Sequence, residues 1–198
     1  MEAFLNETRK GRVLKIVKEA DRLISRHNSV LVFIDFQERL LPVVYEKEKI
    51  LKNALRLARF SRIIGLPVII TEQEKLGDTI AELKKELPYV RPIRKVHFNC
   101  FYCHEFEDNL HSLDRNVLIL AGVEAHICIA QTALYGVRDF TIHVVRDTIS
   151  SRTPENCNIA VERMKGAEIV ITSTEMAIYE LLQRADTEEF KATLPLIK

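Results

Sequence analysis

Asp35, Lys95 and Cys128 stand far apart in the chain, but together they could cleave a carbonyl compound. Cys128 closes the stretch Asn-Val-Leu-Ile-Leu-Ala-Gly-Val-Glu-Ala-His-Ile-Cys, residues 116–128. That stretch reads as a buried strand, a tight glycine turn and the first turn of a helix. A thiol at a helix start meets unpaired backbone N–H groups and the positive end of the dipole. Both favour thiolate over thiol, as an acyl-transfer nucleophile requires. Asp35 interrupts the apolar run Val30-Leu31-Val32-Phe33-Ile34. A carboxylate there is costly unless paired, although it could equally cap a loop. Lys95 alone also reads as a solvated edge lysine, and Cys128 alone as a small buried hydrophobe. Their possible meeting at one edge of a sheet is what turns them into a candidate site.

The elements that must bring them there follow from periodicity. Val13, Ile16, Val17, Ala20, Leu23 and Ile24 recur at helical spacing, which predicts an amphipathic helix over residues 3–26. Strands are expected over 29–36, 67–71, 90–96, 116–121, 140–146 and 168–172. Helices are expected over 46–64, 79–87, 105–113, 125–135, 154–165 and 174–184. Gly65 suits a helix stop, and Thr153-Pro154 a helix start. The continuous apolar run of the first strand suits a strand covered on both faces. Strands alternating with helices imply an α/β fold, a three-layer α/β/α Rossmann-like arrangement around a mostly parallel six-stranded sheet. In strand order 3-2-1-4-5-6, ligands bind at the C-terminal strand edge where the order reverses. Asp35 ends strand one, Lys95 lies near the end of strand three and Cys128 follows strand four. Lys95 would then start two strands from Asp35, roughly 9–10 Å away, a gap its long side chain must cross.

A chain of 198 residues is long enough for one well-buried domain. Residues 1–28 read as a helical extension and 29–198 as the domain proper. The 29 basic and 28 acidic side chains leave a net charge of +1, which argues against nucleic acid or an anionic membrane as partner. No apolar run has transmembrane length, and Met1 to Lys10 is too polar for a signal peptide, so a cytoplasmic protein with four reduced cysteines is expected. Cys100-Phe-Tyr-Cys103-His104 spells the c-type haem pattern, but attachment needs export and a small helical context that the sequence does not show. One such pair with one His also falls short of a four-ligand zinc site. His126, two residues before Cys128, does not share its helix face, so a pocket-wall or interface role fits it better than a catalytic dyad. Arg138, Arg146 and Arg152 fall on different elements and need not form an anion site.

The motifs Val32-Phe33-Ile34-Asp35-Phe36-Gln37, Arg94-Lys95-Val96-His97-Phe98 and Gly122-Val123-Glu124-Ala125-His126-Ile127-Cys128 occur in this order. With Asp147-Thr148-Ile149-Ser150-Ser151-Arg152 and Ile171-Thr172-Ser173-Thr174-Glu175, they make the chain resemble the isochorismatase-like cysteine hydrolases, which include the nicotinamidases. Thr71-Glu72-Gln73 and Ser150-Ser151-Arg152 look most like the isochorismatase domain-containing subgroup. The resemblance spans about residues 29–195. It implies an Asp35–Lys95–Cys128 triad, a cis peptide between Val123 and Glu124, and an oxyanion hole from the backbone amides of Glu124 and Cys128. The activity implied is hydrolysis of a small amide or related carbonyl compound through a Cys thioester. Two alternatives are a non-catalytic metabolite-binding protein and a vinyl-ether hydrolase of the isochorismatase type, though relatives of that type lack the Cys. Gln37, Gln73, His97, Phe98 and Tyr102 are candidate lining residues of the substrate pocket. Nicotinamidases carry a metal-binding Asp-x-His between the first two strands, and here Glu72-Gln73-Glu74-Lys75 follows strand two, so no metal and no cofactor is expected. The family also implies a homo-oligomer, a dimer or tetramer, for which the first helix and the tail Phe190 to Ile197 offer apolar surface.

Overall fold

A computed structural model describes residues 23–197. Most of the helix expected over residues 3–26, and of the 1–28 extension, lies outside the described residues. The strands are β1 (Ser29–Ile34), β2 (Val68–Gln73), β3 (Ile93–Lys95), β4 (Val117–Val123), β5 (Thr141–Ser150) and β6 (Val170–Thr172). All neighbouring pairs run parallel, in the order β3-β2-β1-β4-β5-β6 expected above. The helices are α1 (Lys47–Ile64), α2 (Ala81–Glu86), α3 (His104–Ser112), α4 (Ala130–Gly136), α5 (Pro154–Lys165), α6 (Thr174–Leu182) and α7 (Glu188–Ile197).

The two faces of β1 explain its unbroken apolar sequence. Leu31 and Phe33 face a core built with Ala54 and Leu57 of α1 and Ile178 and Leu181 of α6. Val30, Val32 and Ile34 face the other core, with Phe106 of α3, Ala133 of α4 and Met164 of α5. Each fully buried large aliphatic side chain contributes about 1.5–3 kcal/mol, so both helical layers are held by the central strands. Successive connections move outward on one side from β1 to β3 and on the other from β4 to β6. The loops after β1 and β4 therefore diverge, and the C-terminal edge is open between them.

Several elements differ from expectation in ways that matter here. β3 is three residues long rather than seven, because Pro92 has no N–H for the ladder. β5 runs on to Ser150, through a register shift that sets Leu120 against Val144 but Gly122 against Ile149. The Asp147–Ser150 motif thus belongs to a bulged strand rather than a loop. Ala125–Ile129 forms a π-helical turn, and the α-helix starts only at Ala130. Finally, the tail α7 packs Leu196 and Ile197 on the protein's own core, which removes them from the surface expected to serve a partner.

Two glycines are required by geometry. Gly65 ends α1 in the left-handed region at φ 64°, where its N–H bonds the Ser61 carbonyl. A Cβ at Gly122 would lie 2.1 Å from the Ile34 carbonyl oxygen, so only glycine lets β4 approach the end of β1.

Candidate active site

Asp35 leaves β1 with a left-handed backbone, φ 56°, which a short polar side chain tolerates better than a bulky one. Its N–H donates to the Thr71 carbonyl at 3.1 Å, so β2 anchors the turn. Both carboxylate oxygens are engaged. Thr71 Oγ1 donates to Oδ1 at 2.8 Å, and Lys95 Nζ donates to Oδ2 at 2.7 Å. Lys95 thus crosses the width of β2 from the edge strand. Its Nζ also donates to Gln73 Oε1 at 2.9 Å and lies 3.8 Å from Cys128 Sγ. The Asp35 carboxylate also acts electrostatically on the Cys128 thiol. Asp35, Lys95 and Cys128 are 0%, 2% and 4% exposed.

Burial pushes the Cys128 thiol well above the ordinary cysteine range. The Asp35 carboxylate pushes it the same way, and the Lys95 ammonium pulls it back without prevailing. This direction runs against the expectation that the helix start favours the thiolate. Cys128 lies in a π turn inside the protein, where lost hydration of the anion outweighs the helix start and the ammonium. Burial also opposes the charge on Lys95, but the Asp35 carboxylate outweighs it and the ammonium is held above its usual range. The site is a buried ion pair beside a thiol whose ionisation burial opposes.

The remaining candidates occupy varied positions. The Val123–Glu124 peptide is cis. Glu124 Oε1 accepts from Arg152 Nε at 2.9 Å, and His126 Nδ1 lies 2.9 Å from Ser151 Oγ. Gln37 is fully buried and its amide is spent on backbone. Nε2 donates to the Gln73 and Gly77 carbonyls at 2.9 and 2.6 Å, and Oε1 accepts from Gln73 N–H at 2.8 Å. It braces the site from behind and has no free group for a substrate, contrary to the expectation that it lines the pocket. His97, Phe98 and Tyr102 lie on the surface after β3, with His97 edge-on to Tyr102 and Tyr102 edge-on to Tyr135. They form an exposed aromatic rim beside the Lys95 strand. Arg138 lies over the Tyr135 ring and Arg146 bonds Asn158, so the three arginines do not converge.

Sequence reasoning noticed Thr71 only as part of a motif and did not foresee its bond to Asp35. The signal was a hydroxyl two residues from the end of a buried strand, next to a carboxylate in need of a donor. Cys100 is fully buried, and its N–H donates to Thr132 Oγ1 at 3.1 Å. Burial pushes that thiol up to about 12. All four cysteines are free thiols. Among the described residues, no group of three His, Cys, Asp or Glu side chains is placed to hold a metal ion. A cavity of about 730 Å³ lies elsewhere, at the N-terminal ends of β2 and β3, lined by Leu66, Ile69, Tyr89 and Ile93 among others.

An all-parallel three-layer sheet with reactive groups at the reversal of strand order defines a class of α/β enzymes that bind small ligands at that edge. The Isochorismatase domain model matches residues 29–176, and the chain belongs to the isochorismatase family of hydrolases. It is 33% identical over 189 residues to the secreted isochorismatase effector Isc1 of Phytophthora sojae, covering 91% of this chain and 89% of the relative. The structure of MAR1 ribonuclease from Caenorhabditis elegans superposes with a TM-score of 0.83 at 32% identity, covering 88% and 92% of the two chains. YcaC from Pseudomonas aeruginosa, solved with hexane-2,5-diol and covalent acrylamide, gives a TM-score of 0.83 at 25% identity, covering 89% and 92%.

Proposed function

We propose that the protein is a cysteine hydrolase of small amides or related carbonyl compounds, acting on non-peptide C–N bonds through a thioester on Cys128. The observation that carries this reading is the Lys95 Nζ contact set, 2.7 Å to Asp35 and 3.8 Å to Cys128 in one buried cluster. Burial and the Asp35 charge hold the thiol up, so its proton leaves as the sulfur attacks, and Asp35 is the base within reach. The sulfur bonds the substrate carbonyl carbon while the proton passes to Asp35. The backbone amides of Glu124 and Cys128 hold the developing oxyanion, a role worth roughly 3–4 kcal/mol per donor. Collapse of the adduct breaks the C–N bond, and the leaving nitrogen takes the proton from Asp35. Water then attacks the thioester, giving a proton to Asp35, and the released sulfur recovers it. Lys95 stabilises the transient thiolate and keeps the Asp35 carboxylate oriented.

The covalent acrylamide on the Pseudomonas YcaC supports a reactive nucleophile in this fold. The name ribonuclease belongs to the nematode neighbour; the balance of 29 basic and 28 acidic side chains here gives no general electrostatic grip on a phosphate chain. No helix among the described residues is long and apolar enough to cross a membrane. Cytoplasmic residence is part of this proposal, although the Phytophthora relative is secreted. So is self-association. Val96, Phe98 and Tyr102 expose apolar surface beside the site, and YcaC of Escherichia coli, which shares the fold at a TM-score of 0.84, is octameric. Light scattering on the full chain should show an oligomer, and a strictly monomeric species would refute that part.

The test of the chemistry is a screen of small amides with Cys128→Ala as control. Turnover should vanish in Cys128→Ala while the melting temperature stays within a few degrees, and mass spectrometry should find an acyl adduct on Cys128 during wild-type turnover. A fully active Cys128→Ala protein, or bound metabolite without turnover, would reject the reading.

A further inference from the structure

Gln73 ends β2 and is the register partner of Lys95 on β3. An ammonium has three protons. One of Lys95's goes to Asp35 Oδ2 at 2.7 Å and a second to Gln73 Oε1 at 2.9 Å, while Cys128 Sγ stands off at 3.8 Å. The Gln73 amide cannot turn over without loss. Its Nε2 donates to the Val96 carbonyl at 2.8 Å, so a flip would set N–H against ammonium and oxygen against carbonyl. Its backbone N–H and C=O are both gripped by Gln37, which is itself tied to Gly77. We propose that Gln73 is a positioning residue: held by Gln37 and Val96, it draws the Lys95 ammonium toward β2 and away from the sulfur, and so tunes how readily Cys128 gives up its proton.

The inference rests on the cysteine chemistry proposed above. The titratable or charged groups that act on Cys128 are Asp35 from β1, Lys95 from β3 and Cys100 from the segment after β3. Gln73 carries no charge, so it acts only through where it holds Lys95. A neutral acceptor fixes the ammonium without competing with Asp35 for its charge. A carboxylate in its place would neutralise Lys95 and repel the thiolate. Removing the acceptor would free the ammonium to approach the sulfur.

The experiment is alkylation of Cys128 in the full chain by iodoacetamide at pH 7–10, with the rate read on the Cys128 peptide by mass spectrometry. Gln73→Glu should react about tenfold more slowly than wild type at a given pH, the equivalent of a thiol raised by about one unit. Gln73→Met should react several-fold faster. Gln73→Asn, whose amide is withdrawn by one methylene, should follow Gln73→Met and serves as a second acceptor-loss variant. Melting temperatures identify the folded variants. A merely structural role would move the charged and uncharged variants in the same direction. Unchanged rates in the folded variants, or shifts of one sign in all, would overturn the inference. Failure of the underlying chemistry has a different signature, namely Cys128→Ala retaining full turnover.

Discussion

Asp35 and Lys95 form an ion pair whose partners are both shut off from water. Such a pair recovers its desolvation cost only through close geometry and further hydrogen bonds, which Thr71 and Gln73 supply. Lys95→Met should therefore destabilise the protein by about 3–5 kcal/mol, because it leaves a buried carboxylate without its cation. Combining it with Asp35→Asn should recover part of that loss, and urea unfolding of the four proteins measures the coupling. Additive losses would show that the two residues do not share one electrostatic unit. Asp35→Asn alone should slow acylation of Cys128 by substrate, since the base is lost even though removing the carboxylate eases ionisation of the thiol. An unchanged acylation rate would remove Asp35 from the role of base. At this scale the sequence told much. A carboxylate at the end of an apolar strand needs a partner wherever it lies, and only a few side chains could supply one.

Elements decide the distances among those residues. Gly122 pairs in register with Ile34, the residue before Asp35, and leads into the Glu124 and Cys128 segment. Gly122→Ala would drive a Cβ into the Ile34 carbonyl and separate β4 from β1 at the site. We expect a loss of about 3 kcal/mol or more by chemical denaturation, with turnover falling further than stability explains. A fully stable, active Gly122→Ala protein would show that the strand ends can part without consequence. The same scale holds the main errors of sequence reading. β5 looks finished at Arg146 because its apolar alternation stops there. It continues because Asp147 is anchored by Asn53 of α1 and by the N–H and hydroxyl of Thr174 at the start of α6. Those bonds join residues 94 and 27 positions apart, which no local pattern records. The π turn at Cys128 was illegible for the same reason. Apolar spacing over five residues does not separate π from α.

For the molecule as a whole, the buried thiols link ionisation to folding. Cys100, Cys128 and Cys157 are all raised above the ordinary range, with burial the first cause in each. A thiol raised in the folded state stays protonated there after its unfolded counterpart has ionised, so the unfolded chain binds fewer protons and stability falls as pH rises. The loss begins above about pH 8.5, the usual cysteine value, and for Cys100 extends toward about 12. Each thiol can contribute up to about 1.4 kcal/mol per pH unit in that window. The urea midpoint should therefore fall between pH 8 and 10, and Cys100→Ala should flatten that fall relative to its own stability at pH 7. An equal slope in the variant would mean that Cys100 ionises freely in the folded protein.

Length, composition and apolar periodicity were enough to determine the parallel α/β architecture and the C-terminal strand edge at which chemistry should be sought. These properties repeat along the chain and depend on neighbours in sequence. The acidity of Cys128, the bracing part played by Gln37, the extension of β5 and the hold of Gln73 on Lys95 were decided only by the tertiary structure. Each depends on desolvation or on a hydrogen bond between strands that meet only after folding, and the field at a sulfur atom is a sum over three-dimensional neighbours that a linear order does not specify.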